Sequence, residues 1–120
     1  MTTHVERARR LLEEQRSEAL ERLASLRGDI ASIEQAREGA NTDDEHDPEG
    51  ATIAFERART DALAQQAVRQ LDDIDAALGR IAEGSYGLCE VCGEAIPWER
   101  LEARPTATTH VSHAGGTSRR

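Results

Sequence analysis

Hydrophobic residues recur at intervals of seven in two separate runs of this chain, and polar residues, mostly Arg and Glu, fill the positions between them. The first run consists of Val5, Leu12, Ala19, Leu26 and Ile33, with Leu23 and Ile30 at a companion position. The second consists of Ile53, Thr60, Ala67, Ile74 and Ile81, with Ala64, Leu71 and Leu78. A seven-residue apolar repeat with charged flanks is typical of coiled-coil helices. The pattern therefore predicts a mainly α protein built on two long helices.

Capping signals predict where the first helix begins and ends. Thr3 followed by Glu6 forms a capping box, in which each side chain accepts a hydrogen bond from the backbone N–H of the other residue. The periodic pattern runs to about Arg37, and Gly39 supplies a residue that commonly terminates a helix.

The second helix has an equally clear start. Asp47 is a favourable N-cap, and Pro48 suits the first helical position, where its missing N–H costs nothing. The pattern ends at Gly84. Two helices of matching length with a short connection should fold back on each other. We therefore expect an antiparallel coiled-coil hairpin over residues 1–83, with its tip at residues 40–47.

Composition and charge exclude several classes of protein. The 120 residues include only three aromatic side chains, Phe55, Tyr86 and Trp98, which is too few for a thick globular core. The net charge of −8 repels a phosphate backbone, so direct binding to nucleic acid is not expected. The sequence has neither an export signal nor an apolar run of about 20 residues, which predicts a cytoplasmic protein without a membrane span.

The region from residue 84 to residue 114 carries the candidate chemistry. Glycines and prolines interrupt any helical period there. A segment of some thirty residues buries too little surface to fold alone, and a bound metal usually provides the missing stability. Cys89 and Cys92 form one close pair, and His110 and His113 form a second. Two such pairs separated by a loop are typical of a tetrahedral site for one Zn²⁺ per chain. We expect a zinc-finger domain at 84–114 and a disordered tail at 115–120.

Two other interpretations of this region stay open at the level of the residues. Cys89 and Cys92 could form a redox-active dithiol, although such pairs normally lie between a strand and a helix. The histidines could instead be coincidental surface residues in a fold without metal. Bound zinc per chain, and its loss on His110→Ala, separates these interpretations from the zinc site.

The residues around this site resemble a known signature. The stretches 84–96 (GSYGLCEVCGEAI) and 100–107 (RLEARPTA) are similar to the zinc finger of the DksA/TraR family, bacterial regulators that bind RNA polymerase rather than DNA. The long hairpin before the finger matches the longer, DksA-like members. In that family a second Cys-x-x-Cys pair stands where His110 and His113 stand here. Replacement of both positions by another ligand type favours a retained zinc site.

The resemblance implies a transcription regulator without enzymatic activity. Family members insert the hairpin into the secondary channel of RNA polymerase and bring acidic tip residues near the catalytic Mg²⁺. The tip carboxylates of this chain are Asp43, Asp44, Glu45, Asp47 and Glu49. Arg100 and Arg104 are candidate partner contacts, and the protein is expected to act as a monomer. The alternative is a zinc-capped coiled-coil adaptor that does not act on polymerase.

Two departures from the family pattern bear on function. The family tip has an Asp-x-x-Asp-x-Ala pattern, whereas this chain has His46-x-x-Glu49-x-Ala51. The family also implies a site for the alarmone ppGpp, and Arg104 matches one of its basic positions. Asp72 and Asp73 on the neighbouring helix surface, and a chain that ends six residues after Ala114, argue against a ppGpp site here.

Overall fold

A computed structural model describes residues 3–39 and 48–114, with side chains described for 3–38 and 50–114. These described residues form three α-helices in chain order: α1 (His4–Gly39), α2 (Pro48–Glu83) and α3 (Trp98–Ala103). A short 3₁₀ turn at Val111–His113 follows them. The described residues form no β-sheet, apart from one isolated antiparallel bridge between Leu88 and Ala95. The mainly α class is confirmed.

The predicted helix boundaries agree closely with the structure. The backbone N–H of Glu6 donates to the Thr3 hydroxyl at 3.0 Å, and the N–H of Thr3 donates to the Glu6 carboxylate at 3.3 Å, so the capping box is present. Helix α2 begins at Pro48 and ends at Glu83. Gly84 follows it with a φ of +84°, a left-handed conformation that glycine adopts without steric strain.

The predicted tip lies outside the described residues. This applies to Asp43, Asp44, Glu45 and Asp47, and to the tail at 115–120. Glu49 lies in the first turn of α2 by its backbone, but its side chain is outside the described set. The acidic tip therefore stays a prediction.

The described residues divide into two compact units, one drawn from Met1–Ser17 and Asp72–Arg120 and the other from Glu18–Leu71. In the Glu18–Leu71 unit, α1 and α2 pack in antiparallel register. Arg22 donates to Gln70 at 2.7 Å, and Glu34, further along α1, pairs with Arg57, earlier in α2. The core of this unit is made mostly of small and branched apolar residues, namely Ala19, Leu23, Ala67 and Leu71, with Ala64 packed against them.

The other unit contains the base of the helical hairpin and the segment after α2. Leu12 and Ile74 are fully buried there, and Arg16 donates to Asp75 at 2.7 Å across the helix pair. Ala8 and Ala77 are also fully buried, although the seven-residue pattern did not include them. Val5, the first residue of the predicted seam, is 41% exposed. It lies in the first turn of α1, where it borders a cavity rather than the buried core.

Candidate metal centre

The first ligand pair lies in a tight turn that its own backbone holds. The N–H of Gly93 donates to the Cys89 carbonyl, and the N–H of Cys89 donates to the Glu94 carbonyl, both at 2.8 Å. Gly93 has a φ of +79°, a left-handed backbone conformation that glycine adopts without steric strain. The N–H of Val91 points at the Cys89 sulfur, at 3.4 Å. This turn brings the two cysteine sulfurs to one side. It also places the N–H of Val91 where it can donate a hydrogen bond to the Cys89 sulfur.

The second ligand pair lies in the 3₁₀ turn. The N–H of His113 donates to the His110 carbonyl at 2.9 Å, which closes one turn between the two histidines. One 3₁₀ turn therefore connects the two histidines, which lie three residues apart in the sequence. Their rings meet edge to face, with centroids 5.6 Å apart.

The four side chains converge on one point. Their potential ligand atoms all lie within 4.8 Å of one another. The Cys89 sulfur lies 3.4 Å from Nδ1 of His113, and the Cys92 sulfur lies 3.6 Å from Nδ1 of His110. Tetrahedral zinc, with bonds of about 2.3 Å to sulfur and about 2.0 Å to nitrogen, requires a sulfur–nitrogen separation of about 3.5 Å. The donor set therefore fits one zinc ion.

A hydrogen bond outside the cluster orients one of the histidines. Nε2 of His110 lies 2.9 Å from the carbonyl oxygen of Ala95, an acceptor, so Nε2 carries the proton and donates it. In the neutral ring this leaves a lone pair on Nδ1, the nitrogen that faces the Cys92 sulfur. Histidines that bind metal commonly donate their other ring N–H to a carbonyl or a carboxylate in this way.

The electrostatics of the cluster favour thiolate at neutral pH. Burial opposes ionisation of Cys89, but hydrogen bonding to His113 and to the backbone of Cys92, His110 and Val91 outweighs it and lowers the Cys89 pKa to about 5. Hydrogen bonding to Cys89 and to the Ala95 carbonyl raises the pKa of His110. A thiolate is the form of cysteine that binds zinc.

A small core supports the cluster from one side. Cys89 is buried together with Ile96, Leu101 and Ala107, and Tyr86 and Trp98 pack against this group. The Tyr86 hydroxyl donates to the Pro105 carbonyl at 2.7 Å, and burial raises the Tyr86 pKa. Tyr86 also packs against Leu12, Ile74 and Ala77 at the hairpin base. Tyr86 therefore packs the finger against that base.

The predicted partner contacts differ from each other in the structure. The Arg100 guanidinium donates from Nε to the Thr109 carbonyl at 2.6 Å, whereas the Arg104 side chain is exposed. Glu102, which could have paired with either arginine, forms its ion pair with Arg7 of α1, at 3.3 Å. A role for Arg100 or Arg104 in binding a partner stays a prediction.

Sequence reasoning missed the contacts of the first turn of α1. The His4 ring stacks on Trp98 with centroids 4.5 Å apart, and the Arg7 guanidinium lies 5.6 Å from the centroid of the same indole. Nothing in the local sequence pairs residues so far apart.

The chain folds as a helical hairpin and carries a compact Cys/His cluster after its second helix. These two features place it in the class of zinc-finger proteins with a coiled-coil hairpin. Residues 84–109 match the family model described as the prokaryotic dksA/traR C4-type zinc finger. This match ends one residue before His110, so the second ligand pair lies just beyond it. Transcription factor DksA2 from Pseudomonas aeruginosa has a similar solved structure, with a TM-score of 0.77 and 31% identity, covering 91% of this chain and 78% of that one. The chain belongs to the DksA/TraR family.

Curated relatives match over shorter stretches. The uncharacterized protein YteA of Bacillus subtilis is 48% identical over 71 residues, which are 59% of this chain and 30% of that protein. General stress protein 16O of the same species is 35% identical over 65% of this chain and 48% of its own length. The RNA polymerase-binding transcription factor DksA of Caulobacter vibrioides is 58% identical over 34% of this chain and 29% of its own length. The chain thus spans half or less of these proteins.

Proposed function

We propose that this protein is a transcription regulator that binds bacterial RNA polymerase through the secondary channel. The observation that carries the proposal is the likeness to transcription factor DksA2, which extends over 91% of this chain at 31% identity and so includes the hairpin as well as the finger. The relative from Caulobacter vibrioides is named as an RNA polymerase-binding factor. A polymerase partner implies a cytoplasmic location, and we propose a monomer as the active form.

The zinc site in this proposal is structural and its ligands are Cys89, Cys92, His110 and His113. The convergence of their ligand atoms within 4.8 Å supports this assignment. Four protein ligands fill a tetrahedral shell and leave no position for a substrate, which is the arrangement of structural rather than catalytic zinc. Zinc would therefore hold the finger in shape, and the protein would have no chemistry of its own.

The part of the hairpin directed toward the catalytic centre would be the tip. Asp43, Asp44 and Glu45 are consecutive carboxylates in the segment that connects α1 and α2. Hard carboxylate oxygens interact favourably with Mg²⁺, the metal of the polymerase centre, and unfavourably with nearby phosphates. Either effect would alter initiation without requiring a reaction on the regulator. On the finger, the exposed Arg104 is the more accessible of the two proposed polymerase contacts.

The proposal is tested by transcription initiation in vitro with purified polymerase and zinc quantified on the same sample. Added protein should change the yield of initiated transcripts in a saturable manner, and it should be recovered with polymerase in a pull-down. The variant Asp43→Asn/Asp44→Asn/Glu45→Gln should lose the effect on initiation. A matched control, Asp72→Asn/Asp73→Asn/Glu83→Gln, removes three carboxylates from exposed positions of α2 and should keep the effect.

An unchanged transcript yield at saturating protein would overturn the regulatory proposal. Binding in the pull-down without any effect on initiation would favour a zinc-capped adaptor instead. Equal loss in the tip variant and in its control would show that overall charge, and not the tip, is responsible.

A further inference from the structure

The two ligand pairs of the zinc site are held by different kinds of structure. Cys89 and Cys92 lie in a turn closed by two backbone hydrogen bonds of 2.8 Å between residues 89–94. The histidines follow a segment, residues 104–109, that belongs to no helix and to no sheet. Such a segment needs contacts from elsewhere in the fold to fix its course.

Several hydrogen bonds hold this segment to the rest of the finger, and three of them are donated to its backbone carbonyls. The Tyr86 hydroxyl donates to the Pro105 carbonyl at 2.7 Å, and the N–H of Glu90 donates to the Thr108 carbonyl at 2.9 Å. The Arg100 Nε–H donates to the Thr109 carbonyl at 2.6 Å. The last acceptor belongs to the peptide unit that joins Thr109 to His110. Among these contacts, the Arg100 bond is therefore the one adjacent to a ligand.

Arg100 is well placed to hold that peptide unit. It lies in α3, which is anchored because Leu101 is buried in the finger core and because the N–H groups of Arg100 and Leu101 both donate to the Pro97 carbonyl. Thr109, the acceptor residue, is 8% exposed. A hydrogen bond from a charged donor to a buried carbonyl is stronger than a neutral one, and its loss leaves the carbonyl without a partner.

We infer that Arg100 is a positioning residue of the zinc site, which fixes the Thr109–His110 peptide so that Nδ1 of His110 faces the metal. Arg100 holds the backbone of His110, while the Ala95 carbonyl holds the far side of its ring at Nε2. These two contacts fix a histidine at a position where the family pattern has a cysteine. The inference rests on the zinc site proposed above, and it assigns Arg100 an internal role rather than a contact with polymerase.

The test compares Arg100→Gln and Arg100→Lys with the control Arg104→Gln in the full chain. Arg104 is an exposed arginine one turn further along the chain. Zinc affinity is measured by competition with a chelator, and ligand geometry is measured from the visible absorption bands of the Co²⁺-substituted protein. Loss of a hydrogen bond that orients a ligand typically weakens metal binding by about 10–100-fold. We expect a loss of that size and altered Co²⁺ bands for Arg100→Gln.

Arg100→Lys should give a smaller but measurable loss, because an ammonium group lacks the planar guanidinium geometry of the Nε–H donor. Arg104→Gln should match the unmodified protein within about twofold, less than the smallest effect expected of an orienting hydrogen bond. Unchanged affinity and unchanged Co²⁺ bands in Arg100→Gln would overturn the inference. An equal loss in Arg104→Gln would also overturn it, since the effect would then be one of surface charge.

A measurement on the unmodified chain keeps the inference testable if the variants do not fold. The Nε–H of Arg100 should exchange slowly with solvent in the zinc-loaded protein, and that of Arg104 should exchange rapidly, as observed by ¹⁵N-edited NMR. Equal exchange rates would contradict the inference. Wild-type zinc affinity in His110→Ala would instead remove His110 from the proposed ligand set, which distinguishes failure of the proposed ligands from failure of the role of Arg100.

Discussion

His110 uses its two ring nitrogens for different purposes. Nδ1 lies 3.6 Å from the Cys92 sulfur, and Nε2 lies 2.9 Å from the Ala95 carbonyl. Alanine at this position would remove a ligand together with the hydrogen bond that orients it. A single substitution can therefore show whether His110 is a zinc ligand or a surface histidine without a role in metal binding.

We predict that His110→Ala lowers zinc affinity by more than about 100-fold, beyond what the loss of an orienting hydrogen bond alone causes. Bound zinc per chain after gel filtration is the measurement. Ser112→Ala, an exposed position between the two histidines, is the matched control and should retain one zinc per chain. Full retention of zinc by His110→Ala would remove this residue from the ligand set.

The same histidine predicts how zinc binding depends on pH. Zinc requires a neutral imidazole, so a proton on His110 competes with the metal. Hydrogen bonding to Cys89 raises the His110 pKa from its ordinary value of 6.5, and competition therefore begins at a higher pH than for an unperturbed histidine. The Cys89 pKa of about 5 keeps that thiolate ionised over the same range.

Zinc affinity should accordingly fall as the pH is lowered from 8 toward 6 (roughly the imidazole range), because the zinc-bound form carries fewer protons than the free site. Zinc retained after gel filtration at a series of pH values is the readout. The helical signal in circular dichroism, recorded on the same samples, separates loss of metal from unfolding of the hairpin. Undiminished zinc binding down to pH 5 would be inconsistent with histidine ligands.

At the scale of the elements, the hairpin depends on few large side chains. Leu12 and Ile74 are fully buried in the base core, and alanines fill much of the remaining seam. Ile74→Ala should destabilise the protein by about 3 kcal/mol, because it removes buried methyl groups and leaves a cavity. Urea unfolding followed by circular dichroism measures this. Leu20→Ala, at a position that is 43% exposed, should cost less than about 1 kcal/mol.

Equal destabilisation by Ile74→Ala and Leu20→Ala would contradict the assigned core. It would mean that Leu20 and Ile74 are buried to the same extent.

The helices could be predicted from the sequence because their determinants are local. The seven-residue repeat identified Leu12, Ala19 and Ile74, and the capping box and glycines placed the helix ends. Ala8 and Ala77 were missed because each lies three residues after a seam position, whereas the companion residues lie four after theirs, although both alanines are fully buried. The repeat also assigned Val5 to the buried seam, but Val5 is 41% exposed because it lies in the first turn of α1.

The finger could be predicted only in part. Spacing alone identified the four candidate ligands, because pairs three residues apart lie close together in any tight turn. The contacts that hold them join residues distant in sequence, as Arg100 with Thr109 and His4 with Trp98 do. No periodicity encodes such pairs, so they required the structure.

At the scale of the whole molecule, charge bears on the choice of partner. The chain carries 23 acidic and 15 basic residues, which disfavours binding to nucleic acid directly. None of the described helices is long and apolar enough to cross a membrane. The excess of acidic residues is in keeping with the proposed binding to a protein, RNA polymerase, rather than to a phosphate backbone.

The proposed orientation on polymerase is the central claim, and site-specific crosslinking tests it most directly. A photoreactive amino acid in place of Asp44, in the tip, is compared with one in place of Glu14, an exposed position of α1 outside the tip. After irradiation of the complex with polymerase, crosslinked peptides are identified by mass spectrometry. We predict that the probe at position 44 crosslinks to segments that line the secondary channel and the catalytic centre, and that the probe at position 14 does not. Crosslinks from position 44 that lie only on the outer surface of polymerase, or no crosslinks from it at all, would contradict the proposed function.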